Sequence, residues 1–335
     1  MPVTTATQTT DGIQRVFTTR NGGVDLKLLK EELAARAAAG QVTTRDESIL
    51  EYLRELHVMS LEQIFELFWP DAKNPLTARN RLSTLIQYKL VSYARRVPAA
   101  EMRTAGLEPG SVYALGVGGW LWLRENVNHS IMNRVLKREQ VLHDLLVGQV
   151  CLKTMAAVQA RGEAWQMTWA GEEAAAYYEL HARDSDKAPP PVIAPDGLAV
   201  IRRRMSEQMA VMSLFIEMDN GREAHGRPSS DWGRKIQRYN EFMADKWRLH
   251  PQLADLPDFP AVAVITHGAQ RLLNLAHAIQ QYRKEPISYH LALWEDLVGA
   301  DDILSAPAWL VLTADGKVIG QERRERRGFL PPVAR

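Results

Sequence analysis

Ala210-Val211-Met212-Ser213-Leu214-Phe215-Ile216-Glu217-Met218-Asp219 is a nearly unbroken apolar run that closes on two acids. A strand turns successive side chains to opposite faces, so Phe215, Glu217 and Asp219 share one face while Leu214, Ile216 and Met218 take the other. An earlier apolar run at 191–201 contains Pro195-Asp196-Gly197 and reads as the neighbouring strand, with Arg202-Arg203-Arg204 in the turn between the two. Carboxylates on adjacent strands repel one another, which raises one pKa unless a cation or hydrogen bonds compensate. A hard divalent ion such as Mg²⁺ binds carboxylate oxygen and is the natural compensator. Asp196, Glu217 and Asp219 are therefore candidate metal ligands; the bland alternative is a solvated turn.

Working outward, the segment Ser230 to Lys246 has helical period and buries Trp232, Ile236, Tyr239, Phe242 and Met243. Lys235 lies at the margin of that face and can lean toward the sheet, where it would stabilise charge on a phosphate or orient a water made acidic by the metal. A surface lysine with a buried stem gives the same pattern. Tyr239, one turn on, points the same way. Upstream, a long helix from about Asn133 to Ala160 carries His143 among Leu136, Leu146, Val147 and Val150, either as a packed core histidine or as a group of the same site. The candidate catalytic residues are thus Asp196, Glu217, Asp219, Lys235, His143 and Tyr239. Further strands are expected at 164–169, 261–266, 288–294 and 308–313, with a helix near 268–283. The alternation argues for an α/β (α+β) domain over 131–320, a mixed sheet covered by helices, followed by a basic tail at 321–335. The stretch 183–191, with three prolines, reads as a solvent loop.

The N-terminal third has a different grammar. Residues 1–40 read as a flexible lead-in with a short helix from Leu26 to Ala39. A helix opens at Thr44, where Thr44 and Glu47 have capping-box spacing, and buries Ile49, Leu50, Leu53 and Leu56. Ser60 and Gln63 repeat the spacing ahead of Ile64, Leu67 and Phe68, and Trp69-Pro70 stops that helix. Asn74 caps a third helix with Pro75 in its first position. Ala78, Leu82, Leu85 and Ile86 fall on one of its faces, and Thr77, Asn80, Arg81, Thr84, Gln87 and Tyr88 on the other. From Thr77 to Arg96 the basic residues Arg79, Arg81, Lys89, Arg95 and Arg96 occur with no acid between them. Two strand-like runs, Leu90 to Val97 and Ser111 to Leu115, flank a Pro/Gly-containing loop with Arg103. Three short helices and a hairpin, over 41–126, make a winged helix-turn-helix, in which the third helix enters the major groove of double-stranded DNA and the wing touches phosphate. Thr77, Arg79, Asn80, Arg81, Thr84, Gln87, Arg95 and Arg96 are the candidate DNA contacts, with Asn80, Arg81, Thr84 and Gln87 the types that read base edges. A solvated polar face and a protein-docking surface are the rival readings. Beyond it, Trp120 to Asn126 reads as a short helix and 127–130 as a linker.

The chain has 335 residues, 46% hydrophobic and 24% charged, which suits two domains with real cores. Its net charge of +1 means that a nucleic-acid reading rests on where basic residues sit. One cysteine, Cys151, excludes an internal disulfide or a cysteine metal cluster and fits a reducing, cytoplasmic setting. No apolar leader and no uninterrupted run of roughly 20 apolar residues is present, so no membrane partner is expected.

The helix, the strands with Asp196 and Glu217, and the helix against the sheet resemble the PD-(D/E)XK nuclease superfamily. There two acids bind Mg²⁺ and a lysine two residues after the second acid assists phosphodiester hydrolysis. Here that position is Asp219, so the resemblance moves the lysine's role to Lys235 and makes Asp219 a metal or water ligand. Across most of the chain, the order of winged helix, His143 helix, Pro195-Asp196, Glu217-x-Asp219-x-Gly221 and Lys235-x-x-x-Tyr239 resembles the replication-relaxation family of bacterial plasmids and integrative elements. That likeness implies a role in replication, DNA relaxation or mobilisation, with replication or mobilisation proteins as further partners. It leaves open a Mg²⁺-dependent endonuclease (a nickase) or a non-catalytic regulator keeping a nuclease-like fold. The segment Asn220 to Ser230 departs from the Arg-Gly-Thr expected after the second acid. A homodimer stays open, since one chain cannot show symmetry.

Overall fold

In the computed structural model the described residues are 6–9, 12–15, 25–123, 137–178, 192–206, 208–221, 223–227, 230–320 and 325–330. The expected linker at 127–130, the start of the second domain near Ile131 and the loop at 183–191 lie outside them. The chain divides into two units, Met1–Ala99 with Pro109–Val141 and Ala100–Glu108 with Leu142–Arg335.

The first unit begins with a small hairpin, β1 (Ala6–Thr9) against β2 (Gly12–Arg15), where the sequence suggested no regular structure. Helices α1 (Leu26–Ala38), α2 (Thr44–Leu56), α3 (Leu61–Phe68) and α4 (Leu76–Gln87) follow, with β3 (Val58–Ser60) between α2 and α3. The cap of α2 sits one residue earlier than the spacing suggested. Thr43, not Thr44, is the cap, and Asp46, not Glu47, returns the bond to its backbone at 2.7 Å. Asp46 is the better partner because Arg81 fixes its short side chain from a second direction. Ser60 and Gln63 form the expected capping box of α3. Asn74 accepts from the Leu76 amide at 2.8 Å, but α4 starts at Leu76 with Pro75 as its N-cap, one residue later than read.

The hairpin strands are shorter than read, β4 (Val91–Tyr93) and β5 (Val112–Leu115), and β3 joins them in the order β3-β5-β4. The loop between β4 and β5 holds a helix, α5 (Ala99–Thr104), with Arg103 on it. After β5 the chain turns into α6 (Val117–Leu123), three residues earlier than read. Gly116 and Gly119 let the chain pass close to β4 here, since any Cβ there would collide with the carbonyls of Lys89 and Leu90.

The second unit is built on a seven-stranded mixed sheet, which fits the mixed α+β class expected. Its strands are β6 (Trp165–Gly171), β7 (Gly197–Met205), β8 (Gln208–Asp219), β9 (Ala261–Thr266), β10 (Tyr289–Leu293), β11 (Leu310–Leu312) and β12 (Val318–Ile319), in spatial order 12-11-10-9-8-7-6. Strands β8, β9 and β10 run parallel, and the outer pairs are antiparallel. The helices are α7 (Arg138–Gln159), α8 (Glu172–Ala175), α9 (Asp231–Asp245), α10 (Ala269–Tyr282) and α11 (Trp294–Val298). One sheet face, with Phe215, Val262, Val264 and Leu291, shares a core with Trp232, Ile236, Tyr239 and Phe242 of α9 and Leu272, Leu275 and Ile279 of α10. On the other face Ala199, Leu214, Ile216, Ala263 and Ile265 are equally buried. Both faces are therefore dry, which is why β8 and β9 read as nearly continuous apolar runs.

Two local readings change. The Arg202–Arg204 run lies inside β7, not in the turn, and Arg203 lies over the Trp165 ring. Arg326 of the basic tail is not free, since it pairs with Asp296 at 2.9 Å, and Arg327 bonds the Trp309 backbone. Helix α7 is long and apolar enough to cross a membrane, but 61% of its apolar window is buried inside the fold.

Candidate functional site

Asp196 stands immediately before β7, and the antiparallel register pairs Gly197 with Ile216. That places Asp196 beside the end of β8, where its amide donates to the Ile216 carbonyl at 3.0 Å and its Oδ2 accepts from the Met218 amide at 2.7 Å. Gly197 is required here because a Cβ would run into the Trp169 ring. On β8 the alternation expected from sequence holds. Phe215 enters the aromatic core at 5.6 Å from the Tyr239 ring, and Glu217 and Asp219 face the same way.

Glu217 is 1% exposed and accepts two bonds from α9, Tyr239 Oη to Oε1 and Lys235 Nζ to Oε2, both at 2.7 Å. The i, i+4 spacing of Lys235 and Tyr239 puts both donors over one carboxylate. Burial pushes the Glu217 carboxyl up to about 7, with repulsion from Asp196 adding to it and Lys235 opposing it. Burial alone would lower the Lys235 ammonium, but Glu217, Asp196 and Glu223 together hold it above its ordinary value. Glu223 Oε2 lies 3.6 Å from Nζ.

His143, on α7, reaches Asp196 Oδ1 through Nε2 at 3.1 Å, and the Asn220 side-chain amide lies 3.1 Å from Nδ1. Burial disfavours the imidazolium, yet the Asp196 charge and hydrogen bond outweigh it and raise His143 to about 9. Asp196 in turn is held below the usual carboxylate range, burial being overcome by His143, Lys235 and the Met218 amide. His143, Asp196, Glu217, Lys235 and Tyr239, drawn from two helices and two strand ends, thus form one connected cluster.

Asp219 does not join them. Its oxygens accept from Arg271 Nε and Nη2 at 2.8 and 2.7 Å, Thr266 Oγ1 at 2.6 Å and Trp232 Nε1 at 3.3 Å. Burial would raise its pKa, but these donors, Arg271 first, lower it. The expected three-acid metal cluster is therefore not assembled: among the described residues no group of three or more His, Cys, Asp or Glu side chains could hold one ion. Arg271, Asn220 and Glu223 were missed from sequence, Arg271 because its partner lies 52 residues away.

The sequence profile of the replication-relaxation family matches residues 50–253, more than half of the chain. The chain belongs to the replication-relaxation family. The matched span takes in His143, Asp196, Glu217, Lys235 and Tyr239 of this family member. No curated protein and no solved structure matches it.

In the first unit of the replication-relaxation protein, Thr77, Arg79, Asn80 and Gln87 on α4 are exposed, as are Arg95 and Arg96 after β4. Thr84 is partly buried and its hydroxyl bonds the Asn80 carbonyl at 3.2 Å. Arg81 departs from the reading. Its Nε donates to Asp46 Oδ1 at 2.8 Å, its Nη2 donates to the Gln41 carbonyl at 2.7 Å, and Nη2 also pairs with Asp46 Oδ2. Asp46 is fully buried, so this guanidinium is committed to fastening α4 to α2.

Proposed function

We propose that this protein acts on DNA in the replication or relaxation of a plasmid or integrative element. In this reading the first unit is a winged helix-turn-helix that grips duplex DNA, and the second is a nuclease-like domain of the PD-(D/E)XK kind that hydrolyses a phosphodiester bond in a cytoplasmic setting. The family membership supports the biological role. The observation that carries the chemistry is the single cluster of Asp196, Glu217, Lys235, Tyr239 and His143. The exposed Thr77, Arg79, Asn80, Gln87, Arg95 and Arg96 support the grip on DNA.

Mg²⁺ suits two of the three acids. Magnesium is commonly held by one or two carboxylates plus substrate phosphate, and Asp196 and Glu217 supply two carboxyl groups close enough to repel one another. Bound there, the ion would polarise the phosphate and acidify a water. Asp219 is excluded from that set by Arg271. The chain's own groups do the rest. Lys235 stays protonated and stabilises negative charge on the phosphate oxygens. Tyr239 fixes the Glu217 carboxylate, and His143 with the Met218 amide fixes Asp196.

The test is a supercoiled plasmid incubated with the purified protein and Mg²⁺. Wild type is expected to nick it, with losses of about 10²-fold or more in Asp196→Ala and Glu217→Ala, the scale of lost transition-state charge stabilisation. One observation favours a second reading, a regulator that keeps the fold as a DNA platform: each oxygen of Asp196 and Glu217 already has a protein partner. DNA binding without nicking by wild type would select that reading.

A further inference from the structure

A cavity of about 350 Å³ opens beside Glu217 and Tyr239, and helix α9 lines it with Arg234, Lys235 and Arg238. Along a helix Lys235 and Tyr239 form one i, i+4 pair and Arg234 and Arg238 the next, so the two pairs lie side by side. The charges in the cavity are nearly all spoken for. Lys235 faces Glu217 and Glu223, and Arg234 pairs with Asp231 at 2.8 Å. Arg238 is exposed and has no acidic partner among the described residues. An exposed guanidinium without an acidic partner among the described residues, lining such a cavity, presents a fork of N–H donors, the geometry that receives a phosphate in two parallel hydrogen bonds.

Resting on the reading that the second unit acts on DNA, we propose that Arg238 is a positioning residue that holds a DNA backbone phosphate at this cavity, so that the neighbouring phosphodiester lies against Lys235 and Glu217. Arg234 is the weaker second contact, because Asp231 already neutralises it. The residue touches none of the reacting atoms. Its work is to set the register of the strand.

Full-length protein and a fluorescently labelled DNA duplex, titrated by anisotropy across a potassium chloride series, test this. Each neutralised phosphate contributes about 0.9 to the slope of log affinity against log salt. Arg238→Ala is expected to lower the slope by about that amount and to weaken binding about fivefold near physiological salt. Arg238→Lys should keep the slope, and Arg234→Ala should change it less. An Arg238→Ala slope and affinity equal to wild type would overturn the proposal, as would failure of Arg238→Lys to restore the slope. Binding of inorganic phosphate that Arg238→Ala abolishes, together with a DNA slope in Arg238→Ala equal to wild type, would make free phosphate the ligand and overturn the proposal. Nicking is scored separately: intact nicking with an unchanged slope removes only this contact, and a lost slope without nicking removes only the hydrolysis.

Discussion

Glu217 and Asp219 are two residues apart on one strand face, and their partners give them different work. Glu217 receives one ammonium and one phenol from a helix that also borders a cavity. Asp219 receives a two-point Arg271 fork that also grips the Glu223 carbonyl at 2.5 Å, tying the chain after β8 to α10. Breaking a buried pair from one side leaves a charge without water or partner, at a cost of about 3–5 kcal/mol. Arg271→Ala is therefore expected to destabilise the protein by that order, read as a lower urea midpoint. The double variant Asp219→Ala with Arg271→Ala should recover a substantial part of the loss. Additive losses would remove the assignment of Asp219 to structure.

Helix α4 shows how one element's chemistry was divided between holding and presenting. Its polar face was legible from the period of Ala78, Leu82 and Leu85, all buried as expected. The partner of Arg81 was not, because Asp46 lies 35 residues earlier in a different helix. Arg81→Ala should cost about 3 kcal/mol or more by stranding Asp46, whereas Asn80→Ala and Gln87→Ala should stay within about 0.5 kcal/mol of wild type. Thermal unfolding measures all three. If the DNA reading is right, the Asn80 and Gln87 variants lose affinity while keeping their melting temperature. Equal stability of Arg81→Ala and wild type would return Arg81 to the outer face.

For the whole molecule, a net charge of +1 gives little general self-repulsion near neutrality, so the pH dependence of stability falls to the buried cluster. His143 rises from 6.5 to about 9 on folding, so its contribution is complete below pH 6.5 and is lost as pH climbs through about 9. Glu217, raised from 4.5 to about 7, has the same sign and gives up its contribution as pH rises from 4.5 through about 7. Asp196 and Asp219, both lowered, contribute above the ordinary carboxylate range and lose that on acidification. With chelator present, wild type should lose on the order of 2–3 kcal/mol between pH 7 and 10. His143→Asn should show a much flatter profile there, and a wild-type profile already flat would sever the His143–Asp196 link. Periodicity and capping are local, and from them the sequence determined the apolar sheet with its acids, the α9 face with Lys235 and Tyr239, and the exposed side of α4. Only the folded chain decided which arginine meets which buried acid, Arg81 for Asp46 and Arg271 for Asp219. A buried carboxylate takes whatever cation the assembled elements bring within reach, and distance along the chain carries no record of that choice.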